Sequence, residues 1–560
     1  MKVLSSSCEF HKTLESPVAF LRRESRVIAF FGAAFALVFL AGILTVDPAY
    51  FYPRLGTDTL LYHLKGLAFA ETWHTNARSA INRPPFPFVA MPGVLRSPFI
   101  MAFKDFDNQL RAIQISNIAI VGITATLYAY ILSWIVPRKW HWLVIGFAFA
   151  FMLASPDWAG NVFQLLADAP FAFFSIVCMI ISTRVITSTR PLKTEWLAIS
   201  AAVICFAIAF QCRYTALAIL VYVACIAAGR RGDNRLSRRS IIVGTAVAIG
   251  LAGILIALNW DTIHNRYIVD NSRFPQFASK ASMVKNLLVL ALPSQIIPNL
   301  QLFFVEYPLV DQYHISFGSS PRDVLLVVLG LAISGVTLIG MWQSRRRFAP
   351  EIAYTLAALP LLTVIIPGTS RYLMAYQPFF WISFYTGASA LAAPFEIELR
   401  KLRRVALASL ILLIVAGTGL VLARRWKAAH IVAGSGASAQ GYTRSHAREI
   451  ASTFRALRVF LETLPRDRAL LIGGSGTSGR WTVISKLDYF RPDTTLRTAV
   501  ASRDVYLVAE CGTYALCRDF DKWDSEFRSR VDEFGPFNYQ PVFSRLTDNA
   551  KARVYQLHNP

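Results

Sequence analysis

Long apolar runs recur along most of this chain, separated by short polar segments. The first, Val27 to Val46, has no charged residue before its end and is long enough, at about 1.5 Å per residue, to cross a hydrocarbon core of roughly 30 Å. Further runs follow it, some of them short. The pattern predicts an α-helical polytopic membrane protein of about 11 transmembrane helices, over residues 27–46, 112–136, 140–154, 162–182, 196–210, 215–228, 241–258, 324–342, 352–366, 373–393 and 405–423.

The basic residues of the chain are concentrated beside these runs. Of its 560 residues, 54% are hydrophobic and 16% are charged, and the formal net charge is +23. In a soluble chain that charge would indicate a nucleic-acid partner. Here clusters such as the run from Arg345 to Arg347 flank alternate ends of the spans, so membrane orientation explains the charge and no nucleic-acid binding is predicted. The same bias predicts a cytoplasmic N-terminus, and an odd number of spans then places the C-terminus outside.

The spans divide the chain into a transmembrane module, residues 1–423, and a polar C-terminal segment, residues 424–560. Two outer loops of the module are long, at residues 47–111 and 259–323. The second contains a short apolar stretch, Leu287 to Ile297, whose proline predicts a helix at or dipping into the outer interface. The C-terminal segment predicts a small extracytoplasmic α/β domain, with a helix over residues 448–464 and strands over 469–472, 505–509, 541–543 and 553–557.

The first outer loop contains the strongest candidate for chemistry. It holds Asp58, then Tyr62, and further on the run Arg83-Pro84-Pro85. A long loop rich in Leu, Phe, Trp and Pro is more typical of a functional segment than of disorder. The arrangement resembles the first extracytoplasmic loop of the GT-C glycosyltransferases. Within them it is most similar to the bacterial relatives of protein O-mannosyltransferases and of the aminoarabinose transferase that acts on lipid A (glycosyltransferase family 39-like), over about residues 20 to 425.

The resemblance implies a glycosyltransferase of the bacterial inner membrane. Such an enzyme, surrounded by membrane lipids, would move a hexose or pentose from a polyprenyl-phosphate donor to a hydroxyl of an envelope lipid, glycan or protein, with inversion. Asp58 would be the base that takes the acceptor proton, and the alternative role for it is a helix N-cap. Asp168 matches a second acidic position of the family, about six residues into the fourth span, where ionisable residues are rare and usually functional. The alternative is a helix that begins later, with Asp168 as its cap. As the second acid, Asp168 could bind a divalent metal with the phosphate or fix the acceptor, and the resemblance leaves open a metal at Asp58 or Asp168.

Three arginines at outer ends of spans are candidates for holding the donor phosphate. Arg83, Arg213 and Arg371 lie where the positive-inside rule gives no reason for a cation, and a guanidinium makes forked contacts with phosphate. The segments around Arg213 and Arg371 also resemble recurrent segments of the family. The residues predicted to bind substrate are Tyr62, Arg83, Arg213, Arg371 and Tyr372. Each arginine taken singly is equally well explained as an interfacial residue whose charged head snorkels to the surface.

Other patterns in the chain indicate no further cofactor. The segment Gly474 to Gly479 fits GxGxxG spacing, but it lies in the predicted outer domain and is interpreted as a turn. The 9 histidines show no zinc spacing, and no Walker A sequence occurs. Cys511 and Cys517 could form a disulfide in an oxidising outer compartment, with two unpaired thiols as the alternative. A transporter or flippase for a lipid-linked sugar, or a non-catalytic envelope assembly protein, is the alternative function, although no internal repeat is evident.

Overall fold

The computed structural model describes most of the chain. The described residues are 7, 10–54, 62–63, 66–67, 91–164, 167–188, 195–229, 284, 287–298, 321–365, 370–392, 444–473, 481, 484–485, 487–489, 494–511, 520–548 and 550–560. Asp58, Arg83 and Cys517 lie outside this set, as do the Gly474–Gly479 segment and the predicted spans over residues 241–258 and 405–423.

The membrane part is a bundle of helices, and each of the nine predicted spans within the described residues overlaps at least one helix. The helices are α1 (Pro17–Thr45), α2 (Phe106–Leu132), α3 (His141–Ala154), α4 (Pro156–Gln164), α5 (Asp168–Thr187), α6 (Trp196–Cys212), α7 (Ala218–Gly229), α8 (Pro321–Ser344), α9 (Ala349–Ile365) and α10 (Gln377–Ala392). Within the described part of the chain, four helices are long and apolar enough to cross a membrane alone, or five if the bent pair of α3 and α4 is taken as one span. The chain is therefore a multi-pass membrane protein.

Helix α2 lies at the centre of the bundle and packs against α1, α3 and α5. Its inner side chains, among them Val121, Ala125 and Tyr128, are fully buried. By contrast, α6 and α8 carry large apolar side chains on exposed faces, such as Val203 and Val328. A row of exposed apolar side chains on long helices is expected where a helix faces lipid rather than water.

Helices α8 and α10 approach each other unusually closely. A Cβ atom added at Gly340 would collide with the carbonyl oxygen of Ser383, and one added at Gly387 would collide with the carbonyl oxygen of Val336. Small residues allow helix backbones to approach in membranes, where packing rather than the hydrophobic effect drives association. The two glycines are therefore required by the spacing of the two backbones.

The predicted fourth span over residues 162–182 is not continuous, and the predicted position of Asp168 inside it is wrong. Residues 156–164 form α4, bent by 68° from the preceding helix, and α5 begins at Asp168 itself. Proline is tolerated in the first turn of a helix, which explains starts at Pro156 and just before Pro170. The side-chain oxygen of Asn161 accepts a hydrogen bond of 2.9 Å from the backbone N–H of Ala169, satisfying a donor that the new helix start leaves open.

The apolar stretch of the second outer loop is buried in protein rather than lying at the surface. Leu287–Ala291 forms a π-helical turn followed by the short helix Leu292–Ser294, and both pack against α8. The carbonyl oxygen of Gln295 accepts hydrogen bonds from the indole of Trp381, at 2.6 Å, and from Gln377, at 3.3 Å. Irregular backbone at membrane depth is tolerated where protein satisfies its polar groups in this way.

The C-terminal segment forms the predicted α/β domain. Its helices are α11 (Arg444–Glu462), α12 (Leu496–Ser502) and α13 (Phe520–Asp532), and its strands are β1 (Ala469–Gly473), β2 (Asp488–Tyr489), β3 (Asp504–Cys511), β4 (Asn538–Leu546) and β5 (Lys551–His558). The strand order is β2-β1-β3-β5-β4, with β2, β1 and β3 parallel and β5 antiparallel to both β3 and β4. Cys511 is disulfide-bonded. The sequence missed β2, α12 and α13.

The C-terminal domain lies on the first outer loop. Helix α11 packs against the 3₁₀ segment Pro48–Arg54, which follows α1 directly. Arg455 on this helix donates a hydrogen bond of 2.6 Å to Asp47. Burial alone would raise the pKa of Asp47, but the hydrogen bonds from Arg455 and from the backbone of Ala49, together with the nearby charges of Arg455 and Arg111, lower it below its ordinary value. This contribution is present at neutral pH and is lost as the pH falls below about 4. The domain and the first outer loop are on the same side of the membrane.

Which side that is can be tested by thiol labelling of intact cells with an impermeant reagent. Lys522 is exposed on α13, and Lys139 is exposed just before α3, at the other end of the bundle. We expect Lys522→Cys to be labelled in intact cells and Lys139→Cys to be labelled only after lysis. The reverse pattern would invert the predicted orientation and would move the first outer loop to the cytoplasm.

Candidate functional site

A buried ion pair lies where α5 begins and α6 ends. Asp168 is the first residue of α5, and Arg213 directly follows α6. The side chain of Asp168 is 1% exposed, and its Oδ1 pairs with the guanidinium of Arg213. Its other carboxylate oxygen has no hydrogen-bond partner among the described residues. Removing two charges from water is costly, so a buried carboxylate of this kind depends on its cation.

Tyr372 lies between two guanidinium groups. The Cζ of Arg213 stands 4.0 Å from the centre of the Tyr372 ring, and the Cζ of Arg371 stands 4.9 Å from it. Arg371 also donates a hydrogen bond of 2.9 Å to the Tyr372 hydroxyl. The ring therefore orients both arginines, because a guanidinium is attracted to an aromatic face.

The segment that carries Arg371 is held from two sides. Residues Ser370–Tyr376 form a 3₁₀ turn that packs against α5 and leads into α10. The hydroxyl of Tyr376 donates to the carbonyl of Thr215, at 3.3 Å, just beyond Arg213. The indole of Trp158 on α4 donates to Gln377, at 2.9 Å. The two helices on either side of the break therefore both contribute to the site: α4 contacts the start of α10 through Trp158, and α5 begins with Asp168.

A third guanidinium, which the sequence analysis missed, belongs to Arg96. It is 5% exposed, and its Cζ stands 5.4 Å from the centre of the Tyr62 ring. Tyr62 and Arg371 both lie within electrostatic reach of Arg213, so the first loop joins the same cluster. The signal that could have found Arg96 is the one that selected Arg83, namely an arginine in an outer loop where the positive-inside rule gives no reason for it.

The residue beside Tyr62 contributes an uncharged ring. His63 is buried and packs edge-on against Phe106, with ring centres 5.3 Å apart. Burial lowers the pKa of His63 to about 3. The imidazole is therefore neutral at pH 7 and adds no charge to the cluster.

Among the described residues, the cluster contains three guanidinium groups: Arg213, which pairs with Asp168, Arg371, which shares the Tyr372 ring with it, and Arg96, which contacts Tyr62. Guanidinium groups bind phosphate through paired hydrogen bonds and stay charged when buried. An anion placed between them would be attracted more strongly than in water, because the local dielectric is low. The arrangement is therefore suited to an anionic group that arrives from outside the protein.

The structure brings together every predicted site residue that it describes: Tyr62, Asp168, Arg213, Arg371 and Tyr372. Asp58 lies four positions before Tyr62 in the sequence. No group of three His, Cys, Asp or Glu side chains suited to a metal occurs within the described part of the chain.

Comparison with known proteins finds likeness only in three dimensions. No family model matches the chain, and no curated protein matches it. It is similar to the solved structure of ArnT from Cupriavidus metallidurans in the apo state, with 14% identity, a TM-score of 0.47, and coverage of 96% of this chain and 100% of that one. The structure of the same protein bound to undecaprenyl phosphate has 14% identity and a TM-score of 0.45, with coverage of 95% of this chain and 99% of that one. The apo structure of the oligosaccharyltransferase of Archaeoglobus fulgidus has 12% identity and a TM-score of 0.47, with coverage of 86% of this chain and 69% of that one.

Proposed function

We propose that this chain is a glycosyltransferase of the bacterial inner membrane that moves a sugar from a polyprenyl-phosphate donor to an acceptor hydroxyl on the outer side. The observation that carries the proposal is the convergence of Arg96, Arg213 and Arg371 at one end of the bundle. A phosphate ester would receive paired hydrogen bonds from these guanidinium groups, and its lipid tail would lie against the apolar helices.

The reaction would use the residues in separate roles. Asp58 takes the proton of the acceptor hydroxyl, whose oxygen then attacks the anomeric carbon of the sugar. The bond from that carbon to the phosphate oxygen breaks, and the polyprenyl phosphate leaves with the electron pair. Arg213 and Arg371 stabilise the charge that develops on the phosphate. Attack from the face opposite the phosphate inverts the configuration. Asp168 holds Arg213 in place through the ion pair.

The proposal is tested by incubating the purified protein in nanodiscs with a polyprenyl-phosphate sugar and an extract of envelope lipids and glycans. Transfer should appear as a glycosylated acceptor together with free polyprenyl phosphate. Profiling of glycans and lipids in a strain that lacks the protein would identify the acceptor. A flippase would instead move the donor across a proteoliposome membrane without cleaving it, and that result would contradict the proposal.

Donor binding gives a direct test of the arginine cluster. We expect Arg371→Ala to weaken binding of undecaprenyl phosphate by about tenfold to a hundredfold, since a hydrogen bond to a charged group contributes about 1.5–3 kcal/mol. The measurement is a thermal shift with the lipid titrated in nanodiscs. Arg345→Ala is the matched control, because Arg345 also stacks on an aromatic ring, 3.9 Å from the centre of Trp342, at the other end of α8. Unchanged affinity in Arg371→Ala and Arg83→Ala would make these arginines interfacial anchors.

A further inference from the structure

Arg458 of the C-terminal domain binds both ends of the first outer loop. Its guanidinium donates to the hydroxyl of Tyr52, at 2.7 Å, on the side where the loop begins. It also pairs with Asp105, at 2.7 Å, and with Asp107, at 3.0 Å, on the side where the loop returns to α2. One side chain from a distant part of the sequence therefore joins the two ends of the loop.

The partners of Arg458 are themselves fixed. Asp105 is the N-cap of α2 and accepts the backbone N–H of Asn108, at 3.2 Å. Asp107 accepts the hydroxyl of Tyr52. The side chain of Arg458 is 14% exposed, whereas that of the neighbouring Arg455 is 50% exposed. Exposed ion pairs contribute little, so Arg458 is the stronger of the two links between domain and loop.

Aromatic contacts continue from this link towards the site. Trp481 of the C-terminal domain packs edge-on against Tyr52, with ring centres 6.2 Å apart. Tyr52 packs against Phe106 at 5.8 Å, and Phe106 packs against His63 at 5.3 Å. His63 adjoins Tyr62, which lies under Arg96. Aromatic pairs in such edge-on geometry add about 0.5–1.5 kcal/mol each beyond the area they bury, so a change in the position of Tyr52 would be felt at the site.

We propose that Arg458 is a positioning residue of the transfer reaction: from the C-terminal domain it joins the two ends of the first outer loop and so fixes the position of Tyr62 and His63 at the site. Its catalytic consequence rests on the proposed function. Its structural consequence does not, because the closure of the loop can be measured without any substrate.

Hydrogen exchange measures the closure directly. We expect Arg458→Gln to raise exchange in residues 48–54 and at the start of α2, while β3 and β5 keep the protection of the wild type. Arg503→Gln is the matched control, since Arg503 donates to the carbonyl oxygens of Asp467 and Arg468 within the domain itself. Equal exchange in wild type and Arg458→Gln, or an equal rise in the Arg503→Gln control, would overturn the proposal.

Kinetics separates positioning from a purely structural role. A misplacement of about 1 Å can cost on the order of a hundredfold in rate, so we expect kcat of Arg458→Gln to fall by about that factor. The affinity for undecaprenyl phosphate should stay within about twofold, because Arg213 and Arg371 are untouched. Arg458→Lys keeps the positive charge but loses the planar guanidinium that reaches several partners at once, so it should recover part of the rate. Equal losses of kcat and lipid affinity, or no recovery by lysine, would contradict the positioning role. Absence of transfer in the wild type would contradict the proposed function alone, and the exchange result would still decide the closure.

Discussion

Asp58→Asn is expected to abolish glycosyl transfer while the protein still inserts and folds. The change keeps the size of the side chain and much of its hydrogen bonding but removes the proton acceptor, and general base catalysis typically contributes about 10²–10⁴-fold. The measurement is single-turnover transfer from a polyprenyl-phosphate sugar by the purified variant. Binding of undecaprenyl phosphate should be retained, because the arginine cluster is unchanged.

Two controls make the Asp58 result specific. Asp58→Glu keeps a carboxylate and should retain part of the activity, whereas a residue that acts only as an N-cap would tolerate asparagine, which caps helices about as well as aspartate. Activity near that of the wild type in Asp58→Asn would therefore rule Asp58 out as the base and leave it a capping role.

The second large effect concerns the buried pair of Asp168 and Arg213. Arg213→Met should destabilise the protein by about 3–5 kcal/mol, because it leaves a carboxylate buried without its cation. Asp168→Asn should cost a similar amount, since it leaves a buried guanidinium. In the double variant neither charge remains, so the loss should be smaller than the sum of the two single losses. Denaturation by SDS in mixed micelles provides the comparison.

The same variants distinguish stability from function. The double variant should regain stability but not transfer activity, because the phosphate contact that we propose for Arg213 is lost with its charge. Strict additivity of the two single effects would show that the pair is not coupled, since interacting residues deviate by about 0.5–3 kcal/mol. It would also remove the assignment of Asp168 as the residue that holds Arg213.

The sequence predicted the helices of the bundle well because lipid leaves the backbone few alternatives. In hydrocarbon each N–H and C=O must be satisfied within the segment, so an apolar run such as that of α1 or α8 has to be helical. The break before Asp168 could not be predicted in this way. It depends on the hydrogen bond from Ala169 to Asn161, whose position follows from packing rather than from apolar periodicity.

The site was predicted in part for a related reason. Arg213, Arg371 and Asp168 stand at helix ends, where a charge within an apolar sequence is conspicuous. Arg96 lies within a loop, and its burial against Tyr62 is set by contacts between segments far apart in sequence. The contact of Arg458 with Tyr52 and Asp105 is likewise a property of the assembled fold, since these residues lie more than 300 positions apart.

The close approach of α8 and α10 at Gly340 and Gly387 makes one wall of the site stiff. Neither helix can rotate or slide without driving a backbone carbonyl into its neighbour, and α10 begins directly after the turn that carries Arg371 and Tyr372. Those two side chains therefore lie next to a tightly packed helix pair. Tyr62 lies on a loop whose two ends are joined by Arg458 of the C-terminal domain. On the proposed function, acceptors of different size would be accommodated on the loop side, and variation in acceptor choice among related chains should accumulate there rather than on α10.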